Sequence, residues 1–332
     1  MAMRKMKLPA DLDTLHHLLV ESFQYPDHPE WNAEEDERQG LAETIQTLKR
    51  IWPLYRVVSL LSPALRDAMH GYIWEEDGQP VGMVSVGRRG VSDTWMVGNV
   101  SVLPAYRRRG IARRLVQAGL EFIRAQGGTM AVLDVVAQNV PAYQLYLNLG
   151  FEHYTSQLEL ERKSDDVPPR PALPDGYLYK RIPMRDWQTP LELARRLVPE
   201  SVQVFDPLTK ERYYNSPVLC LFVTIMNKVR GVVSEDFALR DAATEQVVAM
   251  GSVTAHTRPG DRHLLIMNVG PEHAELVPFL LGYMLHRAKT CSASHAVQTV
   301  LWEWRYFTLA EHEKAGFTRG KEGHRLGIKL AN

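Results

Sequence analysis

The chain has 332 residues, 45% of them hydrophobic, and its 39 basic and 39 acidic side chains give a formal net charge of +0. This length and apolar content exclude a disordered chain and favour two folded domains. The zero net charge argues against nucleic-acid binding, because a broad nucleic-acid interface needs a basic excess to displace counterions. The two cysteines, Cys220 and Cys291, form no C-x-x-C pair, so we expect neither a disulfide framework nor a bound metal.

Hydropathy along the chain argues against a membrane protein. No apolar run approaches the roughly 20 residues that span a bilayer, and the polar beginning MAMRKMKLPADLD has no signal-peptide core. We therefore expect a cytoplasmic protein without membrane contact.

A short strand is predicted at residues 3–8, followed by two helices. Pro9 and Asp11 open the first helix. Its apolar residues recur at helical spacing and would face a core: Leu12, Leu15, Leu18 and Leu19. The second helix is predicted from about Ala33 to Trp52.

The segment of residues 24–37 between these helices is rich in acids, namely Asp27, Glu30 and Glu34 to Glu37. Such charges would attract a cationic amine, but they also suit the positive end of a helix dipole without any ligand. Both interpretations remain open.

Further along, the pattern predicts a mixed sheet with one long helix. Apolar alternation predicts strands at residues 71–75, 80–86, 97–102 and 130–136. Asp77-Gly78, between the first two, is a strong hairpin signal. The helix is predicted from Ile111 to a glycine stop at Gly127-Gly128.

A basic, glycine-containing turn joins the third of these strands to the helix. Residues 97–112 read VGNVSVLPAYRRRGIA, and Pro104 ends the strand before three consecutive arginines. A helix start leaves backbone N–H groups unpaired at the positive end of its dipole, and Gly110 and Ala112 are small enough to let an anion approach them. Guanidinium groups bind phosphate oxygens two at a time. The turn therefore indicates a phosphate site, with an ordinary turn and a solvated basic face as the alternative.

A second motif spans residues 139–151. Asn139 and Pro141 are typical of the first residues of a helix, and Gly150 is typical of its end. Tyr143 and Tyr146 are three residues apart, so we expect them to share a helix face.

Together the two motifs resemble those of the GNAT superfamily of N-acetyltransferases. Arg107-x-x-Gly110-x-Ala112 is similar to the pyrophosphate loop R/Q-x-x-G-x-G/A, and residues 139–151 match N-x-x-A-x-x-x-Y-x-x-x-G-F. Neither a Walker ending nor a G-x-G-x-x-G fingerprint is present at the loop. The resemblance implies an α/β fold with a mixed α+β sheet. It also implies direct transfer of the acetyl group of acetyl-CoA, as co-substrate and without a metal, to a primary amine.

The resemblance further implies roles for individual side chains. Tyr146 would be the general acid that protonates the departing thiolate, with Tyr143 as a nearby alternative. Asp134 is the first candidate for the base, because some relatives that acetylate peptide N-termini carry a glutamate at this position. A water held by Asn99, or an Asp134 that merely faces solvent, remains an alternative. His153 is interpreted as a strand surface residue.

Backbone groups of the predicted strand 97–102 would, by the same resemblance, pair with the pantetheine arm and polarise the thioester carbonyl. The residues expected to bind acetyl-CoA are Val100, Ser101, Val102, Arg107, Arg108, Arg109, Gly110, Ile111, Ala112, Arg113, Asn139 and Tyr143.

The second half of the chain repeats landmarks of the first. Residues 161–176 are charged and contain four prolines, which is typical of a linker. Beyond them, Gly251-Ser252-Val253 follows Gly82-Met83-Val84 by 169 residues, and Gly316-Phe317 follows Gly150-Phe151 by 166. Such a near-constant offset predicts a duplication. We expect a catalytic domain at 1–162, a linker at 163–176 and a degenerate copy at 177–332.

The second copy lacks the features of the loop. Pro271, Glu272 and Glu275 stand where phosphates would lie, and His312 stands where the first copy has Tyr146. Like charges oppose phosphate binding, and proline has no N–H to donate. The second copy is therefore interpreted as structural, or as a wall of the acceptor pocket.

The expected partners are acetyl-CoA and a small-molecule or peptide amine, in a monomer that is a pseudo-dimer of tandem domains, or in a homodimer. Mycothiol synthases share the tandem plan, but their working copy is generally the C-terminal one, so the resemblance favours a different acceptor. The alternative function is a non-catalytic acyl-CoA-binding or scaffold protein on the same fold.

Overall fold

The computed structural model describes residues 2–22, 35–61, 63–90, 92–258 and 262–330. The acidic segment of residues 24–37, interpreted either as attracting a cationic amine or as suiting a helix dipole, falls largely outside these ranges, so its role stays a prediction. The chain divides into two compact units. The N-terminal unit comprises residues 1–135, 139–153 and 326–332, and the C-terminal unit comprises residues 136–138 and 154–325.

Up to residue 151 the elements alternate between strands and helices. The strands are β1 (Ala2–Lys5), β2 (His70–Glu76), β3 (Gln79–Arg88), β4 (Thr94–Val102) and β5 (Met130–Val136). The helices are α1 (Leu12–Ser22), α2 (Glu35–Leu61), α3 (Pro63–Arg66), α4 (Ile111–Ala125) and α5 (Val140–Leu147).

The rest of the chain follows the same order of elements. The strands are β6 (Glu152–Arg162), β7 (Tyr177–Ile182), β8 (Val232–Asp241), β9 (Val247–His256), β10 (His263–Val269), β11 (Val297–Trp302) and β12 (Thr318–Lys329). The helices are α6 (Gln188–Leu197), α7 (Glu200–Gln203), α8 (Lys210–Tyr213), α9 (Pro217–Arg230), α10 (Val277–Cys291) and α11 (Leu309–Lys314).

The N-terminal unit is built on a mixed sheet in the order β1-β2-β3-β4-β5. Neighbouring strands are antiparallel except β4 and β5, which are parallel. Helix α4 covers one face through Leu115, Val116 and Ile123, and α1 covers the other through Leu15 and Leu18. The predicted fold class is therefore confirmed, and the leucines of the first helix face a core as expected.

The structure confirms the predicted hairpin turn between β2 and β3. Asp77 and Gly78 adopt left-handed backbone angles, with φ of 51° and 76°. Two consecutive left-handed residues give the turn whose twist matches that of the flanking strands, which is why Asp-Gly favours it.

Helix α2 is longer than predicted, because it runs past Pro53 to Leu61 instead of ending at Trp52. Proline removes one helical hydrogen bond and usually breaks a helix. Here the rings of Trp52 and Tyr55 stack at a centroid distance of 5.2 Å across the proline. Lys49 binds Asp13 of α1 at 2.5 Å. These contacts hold the helix on both sides of the break.

The C-terminal unit repeats the architecture, which confirms the predicted duplication at the level of the fold. Its strands run in the order β6-β11-β10-β9-β8-β7, with β10 and β11 parallel as β4 and β5 are. Helix α10 has 15 residues, as α4 does, and begins 166 positions later. None of the helices in the described ranges is long and apolar enough to cross a membrane.

The proline-rich segment after β6 has no regular secondary structure from residue 163 to 174, yet it is held against α10. The carbonyl of Pro168 lies 2.9 Å from Nδ1 of His286, and the guanidinium of Arg170 lies 5.5 Å from the centre of the Tyr283 ring. This segment thus folds as part of the C-terminal unit.

The end of β12 belongs to the N-terminal unit, although it is the last strand in the chain. Leu326 and Leu330 are 0% and 5% exposed and lie in the core that contains Leu115. The N–H of Leu330 donates to the carbonyl of Thr129 at 2.8 Å. The first domain is therefore completed by residues that follow the C-terminal unit in the chain.

We predict that Leu326→Ala lowers the free energy of unfolding by about 2–5 kcal/mol, the usual cost of emptying a buried leucine site. Hydrogen exchange should show protection lost in α4 and β5. Leu301→Ala is the matched control, since Leu301 is 2% exposed in the core of the C-terminal unit and should lose protection there. Unchanged protection of α4 and β5 in Leu326→Ala would contradict the assignment.

Candidate active site

An extra residue in β4 marks the candidate site. Ser85 of β3 pairs with Gly98, but Met83 pairs with Ser101, so β4 carries one more residue than β3 between these pairs. Asn99 lies in this bulge with a left-handed φ of 51°, and its Nδ2 donates to Oγ of Ser85 at 2.9 Å. A bulge of this kind bends its strand and interrupts the pairing beside it.

Strand β4 separates from β5 close to the bulge. Their parallel pairing begins at Thr94–Met130 and ends at Met96–Val132. Both strands continue beyond that point, to Val102 and Val136, without registered pairing between them in the described residues. The backbone of β4 from Val97 to Val102 thus offers an edge to which an extended ligand could add as a strand.

The turn between β4 and α4 has the backbone shape of an anion site. Arg108 and Gly110 have left-handed φ angles of 63° and 76°. Gly110 is the N-cap of α4, and no side chain caps the helix there. A Cβ atom built on Gly110 would meet nothing within 4 Å, so the space beside Gly110 at the helix start is open. The predicted layout of strand, basic turn and open helix start is therefore present.

The arginines of the turn differ in what they contact. Arg107 donates from Nε to the carbonyl of Val102 at 3.1 Å and from Nη2 to that of Ser22, the last residue of α1, at 2.8 Å. Arg109 pairs with Glu76 at 3.3 Å and donates to the carbonyl of Ala105 at 3.0 Å. These contacts of Arg107 and Arg109 shape the turn, and Arg108 and Arg113 are exposed.

Helix α5 begins as predicted, because Oδ1 of Asn139 accepts a hydrogen bond from the N–H of Ala142 at 3.2 Å. Its two tyrosines lie in different surroundings. Tyr146 is 6% exposed and packs edge to face on Phe151 at 6.0 Å. Tyr143 is half-buried, and its hydroxyl lies 3.3 Å from Nδ1 of His153.

The candidate base Asp134 lies on β5, two residues beyond the last pair with β4. Its neighbours Leu133 and Val135 are buried, and Asp134 itself is exposed. His153 is exposed at the start of β6, as expected of a surface residue. Ser101 is 4% exposed, and its Oγ has no hydrogen-bond partner in the described part of the chain.

The corresponding helix start in the C-terminal unit is closed. A 3-10 turn of residues Pro271–Leu276 precedes α10, and the N–H of Val277 donates to the carbonyl of Ala274. Glu275 accepts a hydrogen bond from the Tyr177 hydroxyl at 2.7 Å. At the start of α10 the N–H of Val277 is therefore used within the protein.

His312, at the position that matches Tyr146, is enclosed by the core. It is 0% exposed, its Nδ1 donates to the carbonyl of Thr308 at 2.9 Å, and its ring packs edge to face on Phe317 at 5.5 Å. Burial lowers the pKa of His312, so the ring is neutral near pH 7. His312 therefore packs on Phe317 as Tyr146 packs on Phe151, but it has no phenolic hydroxyl.

Two features of the site were not predicted from the sequence. The bulge has a local signal, because asparagine is one of the few residues that readily adopt left-handed angles and Gly98 precedes it. The contact of Arg107 with Ser22 has no such signal. Among the described residues, no group of three or more His, Cys, Asp and Glu side chains is arranged to hold a metal ion.

Comparison with known proteins agrees with this geometry. Residues 12–151 match the sequence profile of the Acetyltransferase (GNAT) family. The chain is 33% identical over 96 residues to a mycothiol acetyltransferase of Acidothermus cellulolyticus, an alignment that covers 28% of this chain and 29% of that relative. The curated relatives are thus matched over well under two thirds of their length.

Two solved structures follow the chain over nearly its full length. A tandem GNAT protein from the clavulanic acid biosynthesis pathway has a TM-score of 0.59 at 18% identity, covering 100% of this chain and 99% of that one. A GCN5-related N-acetyltransferase from Sphaerobacter thermophilus has a TM-score of 0.64 at 17% identity, covering 99% and 96%. Residues 12–151 therefore form a domain of the acetyltransferase (GNAT) family, in a chain whose whole length follows a tandem GNAT fold.

Proposed function

We propose that this protein is an N-acetyltransferase that transfers the acetyl group of acetyl-CoA to a primary amine by direct attack. Its catalytic domain would be residues 1–162, joined by residues 163–176 to a degenerate copy at 177–332. One observation carries the proposal: the open edge of β4 leads directly to the uncapped start of α4.

The groups along this path suit the parts of acetyl-CoA. Backbone N–H groups from Gly110 to Arg113 would bind the pyrophosphate at the positive end of the helix dipole. Arg108 and Arg113, both exposed, would add charge. The backbone of Val100 to Val102 would pair with the amide groups of the pantetheine arm, because that edge of β4 is not paired with β5 in the described residues. Bound in this way, acetyl-CoA supplies an activated acetyl group.

The protein must then stabilise negative charge on the carbonyl oxygen, protonate the thiolate and accept the proton that the amine loses. N–H groups near the bulge would stabilise negative charge on the carbonyl oxygen. Tyr146 would donate its phenolic proton to the thiolate as the C–S bond breaks and the new C–N bond forms. A phenol with an ordinary pKa of about 10 can serve a thiol whose pKa is near ~8.5. Asp134 would accept the proton that the amine loses.

The acceptor class is a small molecule or a peptide with a primary amine. The curated relatives are mycothiol acetyltransferases, so their acceptor belongs among the amines to be tested beside amino acids, polyamines, aminoglycosides and peptides. We further propose a cytoplasmic protein that acts as a monomer of two tandem domains or as a homodimer.

The decisive experiment measures thiol release from acetyl-CoA with this amine panel for the wild type and for Tyr146→Phe. We expect one amine class to raise turnover, and we expect Tyr146→Phe to lower kcat by about ten- to ten-thousand-fold, because it removes a proton donor and little volume. The affinity for CoA should not change. Tyr143→Phe is the matched control and should keep most of the activity.

Two outcomes would contradict this function. Tight CoA binding without turnover on any amine would indicate a non-catalytic acyl-CoA-binding protein. A fully active Tyr146→Phe enzyme would show that a different group, such as Tyr143 or a water, protonates the thiolate.

We predict that Gly110→Val weakens CoA binding on the order of tenfold or more, because the new side chain would occupy the space in front of the helix start. Gly127→Val is the matched control. Gly110 and Gly127 flank the same helix, with φ of 76° and 75°, and a Cβ on either would meet nothing within 4 Å. Both variants therefore carry the same backbone strain. Calorimetric titration that gives equal CoA affinities for the two variants would refute the phosphate site.

We also predict one CoA site per chain, since the start of α10 is closed by its 3-10 turn and bears Glu272 and Glu275. Negative side chains beside a pyrophosphate oppose binding. Calorimetry should give a stoichiometry of one, and Gly110→Val should remove that binding. A second, equivalent site that persists in Gly110→Val would overturn the prediction.

A further inference from the structure

The N-terminal unit contains a cavity of about 260 Å³ at the β1–β2 edge of the sheet, two strands away from β4. On the sheet, Trp74 of β2 pairs with Gly82 of β3, and Gly82 pairs with Val102 at the end of β4. His70, which lines the cavity, is four residues from Trp74, or about 13 Å along β2. On the helix, Phe122 at the cavity follows Ile111 by 11 positions, or about 16 Å. The cavity is therefore separate from the phosphate turn.

Aromatic rings form much of its wall. The lining includes Trp52 and Tyr55 of α2, Tyr72 of β2 and Phe122 of α4. The rings of Trp52 and Tyr55 stack within 23° of parallel, and the His70 ring lies 4.9 Å from that of Phe122. Flat rings on several sides suit a flat ligand better than a branched one.

Positive charge lines the same cavity. Lys5, Arg56 and Arg66 are lining residues, and no aspartate or glutamate is among the described residues that line it. Asp67, which follows the lining residue Arg66 in the chain, pairs with Arg66 at 3.1 Å and lies 3.8 Å from His70. Burial lowers the pKa of His70, which keeps its ring neutral at pH 7. The wall therefore carries three cations without a carboxylate of its own.

We propose that this cavity is a second ligand site, and that it binds a small planar aromatic carboxylate. Its volume is just below the roughly 300–1,000 Å³ of pockets for drug-sized molecules, which suits a molecule of one or two rings. The rings would lie against Trp52, Tyr55 and Phe122, and the carboxylate would bind Arg56 and Arg66 in the bidentate manner that guanidinium groups favour.

The charge also separates this site from the proposed acetyl transfer. An amine acceptor is a cation before it loses its proton, and a wall of Lys5, Arg56 and Arg66 repels it. The inference therefore stands or falls independently of acyltransferase activity, and it assigns the cavity a ligand of opposite charge.

The test is calorimetric titration of the full chain with 2-naphthoate and with its uncharged twin 2-naphthamide. We expect naphthoate to bind at least about tenfold more tightly than the amide, with an affinity that falls as salt is raised. Saturating CoA should leave that affinity unchanged. Equal binding of the acid and the amide, no binding of naphthoate, or competition by CoA would overturn the proposal.

Variants on α2 locate the binding. Arg56→Gln removes a lining cation and should weaken naphthoate binding about fivefold or more, whereas Arg50→Gln removes an exposed cation of the same helix that does not line the cavity. Ser59→Phe should fill the cavity and abolish binding without a change of charge. Naphthoate binding that survives Ser59→Phe and Arg56→Gln would place the ligand elsewhere and refute the site.

Discussion

The one-residue bulge at Asn99 is the constraint on which the N-terminal domain depends. If β4 paired with β5 along its whole length, the N–H and C=O groups of that edge would all bond within the sheet, and none would be left for a ligand. Because the pairing stops at Met96–Val132, the last six residues of β4 keep an open edge. The same strand then ends at Val102, whose carbonyl holds Arg107 and so begins the phosphate turn. The open edge of β4 thus lies directly before the turn that leads to α4.

Features of this site that depend on neighbours in the sequence could be predicted, and features that depend on distant ones could not. The turn before α4, the cap at Asn139 and the hairpin at Asp77-Gly78 are local, so residue types and spacing indicated them. Arg107 was expected to bind phosphate, yet its guanidinium reaches Ser22, 85 positions earlier in the chain. No pattern within one segment reports such a contact. The continuation of α2 past Pro53 likewise depends on packing around the break.

The two copies keep the same fold although their helix starts differ. Helices α4 and α10 have equal lengths, but a 3-10 turn at Pro271–Leu276 leads directly into α10 and accepts the N–H of Val277, whereas Gly110 is the N-cap of α4. Tyr146 on Phe151 and His312 on Phe317 are the same edge-to-face contact. That contact serves packing in both copies, so it persists where the phenol is gone. A duplicated fold does not require a duplicated activity, because core packing and site chemistry depend on different groups.

Helix α4 also explains why the N-terminal unit can hold basic side chains at two places, the turn before α4 and the cavity near Phe122. Its N-terminus is positive by its dipole, and Arg108 and Arg113 are exposed near it. Its C-terminus is negative, so cations near Phe122 are stabilised by the helix even without a ligand, and Asp67 neutralises Arg66 in part. Arg66 is exposed and binds one acid from its own chain, whereas Arg56 and Lys5 are exposed beside the same aromatic wall. The cations at the cavity are therefore stable without a ligand and are still complementary to an incoming carboxylate. This is the electrostatic condition for a site that binds its ligand reversibly.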